Sequence, residues 1–185
     1  MEKMTVEEIL AHLERLYPEA GCELAHENAY QMAVAVILSA QTTDASVNRV
    51  TPALFARYPD AVSLAQAENE DVEALIASLG LYRNKARSII GFAKAVTERF
   101  HGEVPDTMEE LVSLPGVGRK YANVILAECH HIPALAVDTH VARVSKRLGL
   151  CYARDTVDVI ERKLKKKVPQ DRWIKTHHQM IFFGR

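Results

Sequence analysis

Apolar residues recur along almost the whole chain at the three- and four-residue spacing that is typical of amphipathic helices. Residues 29–40 are apolar on nearly every side, which predicts a buried central helix. Capping-box sequences at 5–8 and 107–110 predict two helix starts. Pro52 is expected to bend or split a helix, and Gly80 to end one as its C′ residue. The remaining predicted helices cover 44–57, 61–66, 70–79, 84–100, 119–130, 139–148, 156–167 and 172–183.

The predicted fold class is all-α, because only the short segment 134–137 could form a strand. The chain has 185 residues, of which 48% are hydrophobic and 25% charged, as expected for one globular domain or two small ones. Its longest continuous apolar run, 32–38, is far too short to cross a bilayer, so we expect no membrane partner. The N-terminus leads directly into a polar helix pattern and predicts no signal peptide. Three scattered cysteines favour a reduced, intracellular protein.

The net charge of −1 hides an asymmetry between the two parts of the chain. Residues 138–185 contain 12 Lys/Arg and 5 Asp/Glu, a net charge of +7, whereas residues 1–137 carry −8. A basic C-terminal third indicates either a polyanionic partner such as nucleic acid or an ordinary solvated face.

The segment 111–123, LVSLPGVGRKYAN, predicts two helices joined by a tight Pro-Gly-Val-Gly hairpin. Glycine permits a positive φ and leaves neighbouring N–H groups unobstructed. At a helix N-terminus such amides bind phosphate, so they would hold a nucleic-acid backbone without reading its sequence. A plain helical hairpin is the alternative interpretation, although one glycine would usually suffice for it.

Lys120 and Asp138 are candidate reactive groups. The first turn of a helix is unfavourable for a cation, which favours the neutral, nucleophilic amine of Lys120. Asp138 is predicted to be the N-cap of the helix that begins at Thr139, where its carboxylate is stabilised as the anion. An exposed lysine and a simple capping aspartate remain the alternatives for these two residues.

Four segments together resemble the endonuclease III family, bacterial DNA glycosylase/AP lyases of the helix-hairpin-helix superfamily. They are ILSAQTTDASVN (37–48), LGLYRNKA (79–86), LPGVGRKYANV (114–124) and AVDTHVARVSKRLG (136–149). They occur in the family's order and at its spacing, so the resemblance covers essentially the whole chain.

The resemblance implies a role for each matching residue. Lys120 matches the lysine that attacks C1′ of the damaged nucleotide, and Asp138 matches the carboxylate required for base release. Gln41 and Leu81 match side chains that enter the duplex when the lesion is flipped out. The residues implied to hold the DNA backbone are Gly116, Val117, Gly118 and Arg119.

The resemblance also implies two helical lobes with a DNA-binding cleft between them. One is a six-helix barrel over 22–132 that carries the helix-hairpin-helix motif, and the other joins 1–21 to 133–185. The family continues past the segment that matches 182–185 into a loop whose four cysteines hold a [4Fe–4S] cluster. We therefore expect a truncated sequence that ligates no cofactor itself, with the cluster present only if the chain continues past Arg185. Tyr121 departs from the family, which commonly has Thr there.

The implied function is base-excision repair of damaged double-stranded DNA by a cytoplasmic, nucleoid-associated monomer. The enzyme would remove oxidised pyrimidines and cleave the abasic site by β-elimination through a lysine Schiff base. Two alternatives stay open: a non-catalytic or impaired DNA-binding protein, and a mismatch-specific thymine or uracil glycosylase. Lys120 together with Val36 argues against the related adenine glycosylases, which generally lack that lysine and have Glu at the other position.

Overall fold

The computed structural model describes residues 3–185, and this part of the chain is helical with no β-strand. The prediction of an all-α fold is therefore confirmed. The helices are α1 (Val6–Leu16), α2 (Ala29–Leu38), α3 (Asp44–Arg57), α4 (Ala61–Ala65), α5 (Asn69–Ile76), α6 (Tyr82–Phe100), α7 (Met108–Val112), α8 (Arg119–His130), α9 (Thr139–Arg147), α10 (Val157–Lys167), a 3₁₀ turn (Gln170–Arg172) and α11 (Trp173–Gly184).

The chain divides into two compact units. Unit 2 is Glu23–His130 and contains α2 to α8, seven helices where the resemblance implied six, although α4 and α7 have only five residues each. Unit 1 combines the described residues up to Cys22 with His131–Arg185, and it contains α1 and α9 to α11.

The core of unit 2 is built around α2. Its residues from Met32 to Leu38 are all buried, as the uniformly apolar pattern predicts. The core of unit 1 consists of apolar side chains from α1 and from the segment that follows His131. Its members are Ile9, Leu13, Leu135, Val137, Val141, Val144, Leu150, Cys151, Ile160, Leu164 and Met180. Residues 134–137 contribute buried side chains without forming a strand.

Short polar side chains begin most helices. The capping box at α1 is complete, because Thr5 accepts from the N–H of Glu8 while the Glu8 carboxylate accepts from the N–H of Thr5. The box predicted at 107–110 is only half formed. Thr107 caps the N–H of Glu110, but its own hydroxyl donates to Glu110 Oε2 at 2.8 Å, so that carboxylate bonds the side chain of Thr107.

Pro52 does not split its helix, so of the two predicted effects of this proline the split is excluded. Helix α3 runs without a break from Asp44 to Arg57 with the proline inside it. Proline removes one backbone hydrogen bond from a helix. Buried residues on both sides, Val47 and Leu54 among them, hold the flanking turns in place by packing.

Gly80 does not serve as a helix C′ residue, so that prediction is also wrong. Helix α5 already ends at Ile76, and Leu79 closes a further turn by donating to the Ile76 carbonyl at 2.9 Å. The left-handed conformation falls instead on Leu81, with φ of 58°, directly before α6. A leucine in this region is uncommon, because its Cβ crowds the backbone.

Candidate functional site

The glycine-containing hairpin between α7 and α8 forms as predicted. Gly116 has φ of +77°, and a Cβ built on it would lie 3.4 Å from Cγ2 of Ile37 in α2. The N–H of Val117 donates to the Leu114 carbonyl at 3.2 Å, which closes the turn. Gly116 is therefore required by the protein itself, both for its backbone conformation and for the close approach of α2.

Gly118 differs from Gly116 in both respects. Its φ lies outside the left-handed region, and a Cβ placed on it would meet no atom within 4 Å. Its carbonyl accepts the first helical bond of α8, from the N–H of Ala122 at 2.9 Å. The protein's own packing therefore does not explain the glycine at 118, whereas a ligand that approaches the backbone closely would.

The side chain of Val117 is 5% exposed and belongs to the core of unit 2. Any contribution of this residue to DNA binding must come from its backbone. Arg119 and Lys120, which open α8, are both exposed. The first N–H groups of a helix have no carbonyl partner inside it, so this end of α8 suits an anionic ligand.

Lys120 lies in the first turn of α8 beside Tyr121. Its Nζ is 5.9 Å from the centroid of the Tyr121 ring, so the phenol is the aromatic neighbour of the candidate nucleophile. Tyr121 is half-buried, and this burial raises the pKa of its hydroxyl. The tyrosine therefore stays protonated at neutral pH, so the ring beside the amine carries no charge.

Gln41 and Leu81 both combine exposure with a left-handed backbone. Gln41 has φ of 53° and follows α2, while Leu81 has φ of 58°, is 56% exposed and directly precedes α6. Neither is the glycine or asparagine that usually adopts this conformation. Strained residues of this kind persist where the surrounding structure fixes them, and they concentrate at functional sites.

Lys85 is a residue that the sequence reasoning missed. Its Nζ donates to Thr42 Oγ1 at 2.6 Å, and its side chain is only 4% exposed. The signal is present in the sequence, because Lys85 falls on the same face of α6 as the buried residues Ile89, Phe92 and Val96. A charged residue in an otherwise apolar stripe is unusual enough to be noticed.

Asp138 lies in unit 1 and is the N-cap of α9, as predicted. Its Oδ1 accepts the N–H of Val141 at 2.8 Å. Within residues 3–185, Oδ2 of this carboxylate has no hydrogen-bond partner. The carboxylate is half-exposed, so one of its oxygens fixes the side chain and the other is available to a substrate.

Part of the basic charge near the C-terminus is paired inside unit 1. Lys163 Nζ lies 2.6 Å from an oxygen of Asp155, and Lys165 Nζ lies 2.7 Å from the buried Glu161. Charges neutralised in this way contribute less to the attraction of a polyanion, so net charge overstates the field that this segment presents.

The residues present do not fit an iron–sulfur cluster. Such a cluster usually takes four cysteine thiolates, whereas the chain has three cysteines, Cys22, Cys129 and Cys151, none of which forms a disulfide bond. No group of three or more His, Cys, Asp or Glu side chains within the described residues could hold a metal ion. Likewise, none of the described helices is long and apolar enough to span a membrane.

The known proteins that this chain resembles belong to base excision DNA repair. Residues 34–170 match the HhH-GPD superfamily base excision DNA repair proteins. The chain is 51% identical over its full length to an endonuclease III of Synechocystis, and it covers 84% of that protein. Over 170 residues it is also 51% identical to endonuclease III of Bacillus subtilis, an alignment that includes 92% of this chain and 78% of the relative.

Solved structures agree with these relatives. Two endonuclease III structures, a trapped covalent intermediate with DNA and a non-covalent DNA complex, superpose with a TM-score of 0.92 at 46% identity. Each match covers 97% of this chain and 86% of the solved one. A thermostable thymine-DNA glycosylase shares the fold at 16% identity, with a TM-score of 0.84. The chain therefore belongs to the endonuclease III family of HhH-GPD superfamily base excision DNA repair proteins.

Proposed function

We propose that this protein is a bifunctional DNA glycosylase and AP lyase of base-excision repair, acting on oxidised pyrimidines in duplex DNA. Family membership supports the reaction class. The trapped covalent intermediate of a 46% identical endonuclease III supports chemistry that passes through a protein–DNA bond. The choice of oxidised pyrimidines rests on the resemblance of the four sequence segments.

In this proposal Lys120 is the nucleophile. Its neutral amine attacks C1′ of the damaged nucleotide, the C1′–N bond to the base breaks, and the base leaves with the bonding electrons and takes up a proton. The attached nitrogen then gives up a proton, O4′ takes one up as the sugar ring opens, and an iminium forms between Nζ and C1′. Loss of a proton from C2′ then expels the 3′-phosphate, and water releases the amine.

Asp138 is proposed to favour departure of the base. Its Oδ1 is fixed by the N–H of Val141, so the orientation of the carboxylate is set before substrate arrives. The free Oδ2 would stabilise positive charge that develops on the sugar, or serve a proton transfer. A carboxylate fixed in advance costs no reorganisation when the reaction occurs.

The hairpin and two exposed side chains are proposed to hold the DNA in a distorted form. The amides around Gly116 and Gly118 would bind phosphate, with Arg119 adding charge, a mode of contact that does not depend on base sequence. A base inside the stack hides C1′, so the damaged nucleotide must leave the helix. Gln41 and Leu81 would fill the space that it vacates.

The position of Lys120 is the observation that carries the proposal. It is an exposed amine in the first turn of the 12-residue helix α8, directly after a hairpin that offers backbone amides to an anion. A lysine that only binds phosphate does not need this hairpin beside it. A nucleophile needs the amine and also neighbouring groups that hold the strand it attacks.

The test uses a duplex with a single thymine glycol, an oxidised pyrimidine, in buffer with EDTA. The purified chain should release the base and cut the strand, and the substitution Lys120→Gln should abolish both products. The substitution Lys94→Gln, which removes an exposed cation from α6, is the matched control and should leave cleavage unchanged. Cleavage that survives Lys120→Gln, or that requires a divalent metal, would overturn the proposed mechanism.

A further inference from the structure

We propose that Lys85 is a positioning residue that ties together the two segments carrying Gln41 and Leu81, so that both side chains are held ready to enter the DNA duplex. The inference rests on the proposed function, because it concerns how the same site extrudes a damaged nucleotide. Neither the sequence motifs nor the similar proteins give Lys85 a role.

The geometry places Lys85 at the junction of the two segments. Thr42, whose hydroxyl oxygen lies 2.6 Å from Lys85 Nζ, directly follows Gln41. The backbone N–H of Lys85 donates to the carbonyl of Leu81 at 2.9 Å. A single lysine thus bonds to Leu81 through its backbone and to the neighbour of Gln41 through its side chain.

Lys85 is costly to bury. The residue is only 4% exposed, and no carboxylate of the described residues forms an ion pair with its ammonium. Desolvation lowers its pKa accordingly. An apolar side chain at this position would satisfy the core of unit 2 equally well, so packing does not explain a lysine here.

The turn that carries Gln41 and the start of α6 that carries Leu81 both need contacts that fix their backbone. Gln41 and Leu81 both have a left-handed backbone, which a side chain with a Cβ adopts only when its surroundings fix it. Without the bond from Lys85 to Thr42, the turn after α2 would lose its side-chain connection to the start of α6. The exposed side chains would then be ordered only on binding DNA, which lowers the efficiency of insertion.

This role predicts a dependence on the substrate. Extruding a stacked, intact base has an unstacking cost that the inserted side chains offset, whereas an abasic site has no base to extrude. Loss of the connection should therefore slow base removal more than it slows cleavage of a preformed abasic site. Mismatches that flank the lesion lower the unstacking cost and should reduce the difference.

The experiment measures kcat/KM on two duplexes, one with a single thymine glycol and one with a single abasic site. The ratio reported is the value for thymine glycol divided by the value for the abasic site. Lys85→Met and Thr42→Val should each lower this ratio by about tenfold, which corresponds to the loss of a hydrogen bond to a charged group. The double variant should lower it no further, because both substitutions break the same bond. Thr42→Ser keeps the hydroxyl and should retain the ratio.

Three further measurements separate positioning from a purely structural role. Lys94→Met removes an exposed cation from the same helix and should leave the ratio unchanged. Lys85→Met should keep or raise the melting temperature, since it replaces a buried cation by an apolar chain. Thr42→Val provides the test independently if the lysine variant folds poorly. Flanking mismatches should bring the ratio of Lys85→Met back towards that of the wild type.

The outcomes distinguish this inference from the function on which it rests. A wild-type chain that cleaves neither duplex overturns the proposed function and this inference with it. A wild-type chain that cleaves both, together with variants of unchanged ratio, overturns the inference alone. Equal losses on the two duplexes also overturn it, because they would show that Lys85 supports the fold or the chemistry and not the insertion step.

Discussion

The Oδ1 atom of Asp138 lies 2.8 Å from the backbone nitrogen of Val141, so the proposed catalytic carboxylate is at the same time the cap of helix α9. Asp138 thus caps the helix through Oδ1, while Oδ2 is left for the proposed chemistry. The division allows the two tasks to be separated by substitution.

Asp138→Asn should retain stability and lose base removal. Asparagine caps helices about as well as aspartate, so its side-chain oxygen can keep the bond to Val141. Asp138→Ala loses the cap as well and should lower the free energy of unfolding by about 1 kcal/mol. Urea unfolding and single-turnover base release measure the two effects. An asparagine variant with wild-type base release would remove Asp138 from the mechanism.

Replacing each hairpin glycine by alanine should affect a different property, stability for Gly116 and DNA binding for Gly118. Gly116→Ala should lower the free energy of unfolding by about 1–2 kcal/mol, because a Cβ is unfavourable at φ of +77° and would contact Ile37. Gly118→Ala should leave stability almost unchanged, because its Cβ would project into open space. It should weaken binding to duplex DNA, because the same Cβ would obstruct the proposed approach of a phosphate to the backbone. Thermal melts and a DNA titration check both. Unchanged DNA affinity in Gly118→Ala would contradict the proposed phosphate contact.

Leu81→Gly should lower base removal while changing stability by less than about 1 kcal/mol. Glycine relieves the left-handed strain at this position but increases the entropy of the unfolded chain, and the two effects oppose each other. The leucine side chain is largely exposed, so little packing is lost. Cleavage of a thymine glycol duplex and a thermal melt are the measurements. Full activity would show that Leu81 does not fill the duplex.

Asp155 should give unit 1 a stability that disappears in acid. The hydrogen bond from Lys163, and then that from the N–H of Tyr152, lower the pKa of this carboxyl below its usual 3.8. A lowered carboxyl pKa stabilises the fold above 3.8, and the contribution is lost as the pH falls through the lowered value. Asp155→Asn should therefore be less stable than wild type at pH 7 and equal to it in strong acid. A stability difference that does not depend on pH would contradict this assignment.

The parts of the fold that depend on local chemistry could be predicted from the sequence. Helix α3 has the predicted bounds, and the caps at Thr5 and Asp138 form as expected, because a short polar side chain bonds to an amide three residues away. Helix position made Lys120 and Asp138 candidates, and the family resemblance then implied their catalytic roles. Local pattern alone left each of them with a simple structural explanation.

The features that the sequence did not predict depend on contacts between distant segments. Pro52 stays within a continuous helix because buried neighbours hold it, and the left-handed conformation falls on Leu81 although a glycine precedes it. Lys85 reaches a threonine 43 residues away, which no local pattern encodes. Such contacts become visible only when α2 and α6 are brought together.

The most direct test of the central claim is to identify the atom that bonds to DNA. The chain is incubated in EDTA with a duplex that carries one abasic site, sodium borohydride is added, and the covalent adduct is digested and mapped by mass spectrometry. The proposed mechanism predicts a reduced sugar on the peptide that contains Lys120, and no adduct with Lys120→Gln. An adduct on another lysine, or an equal yield from Lys120→Gln, would contradict it.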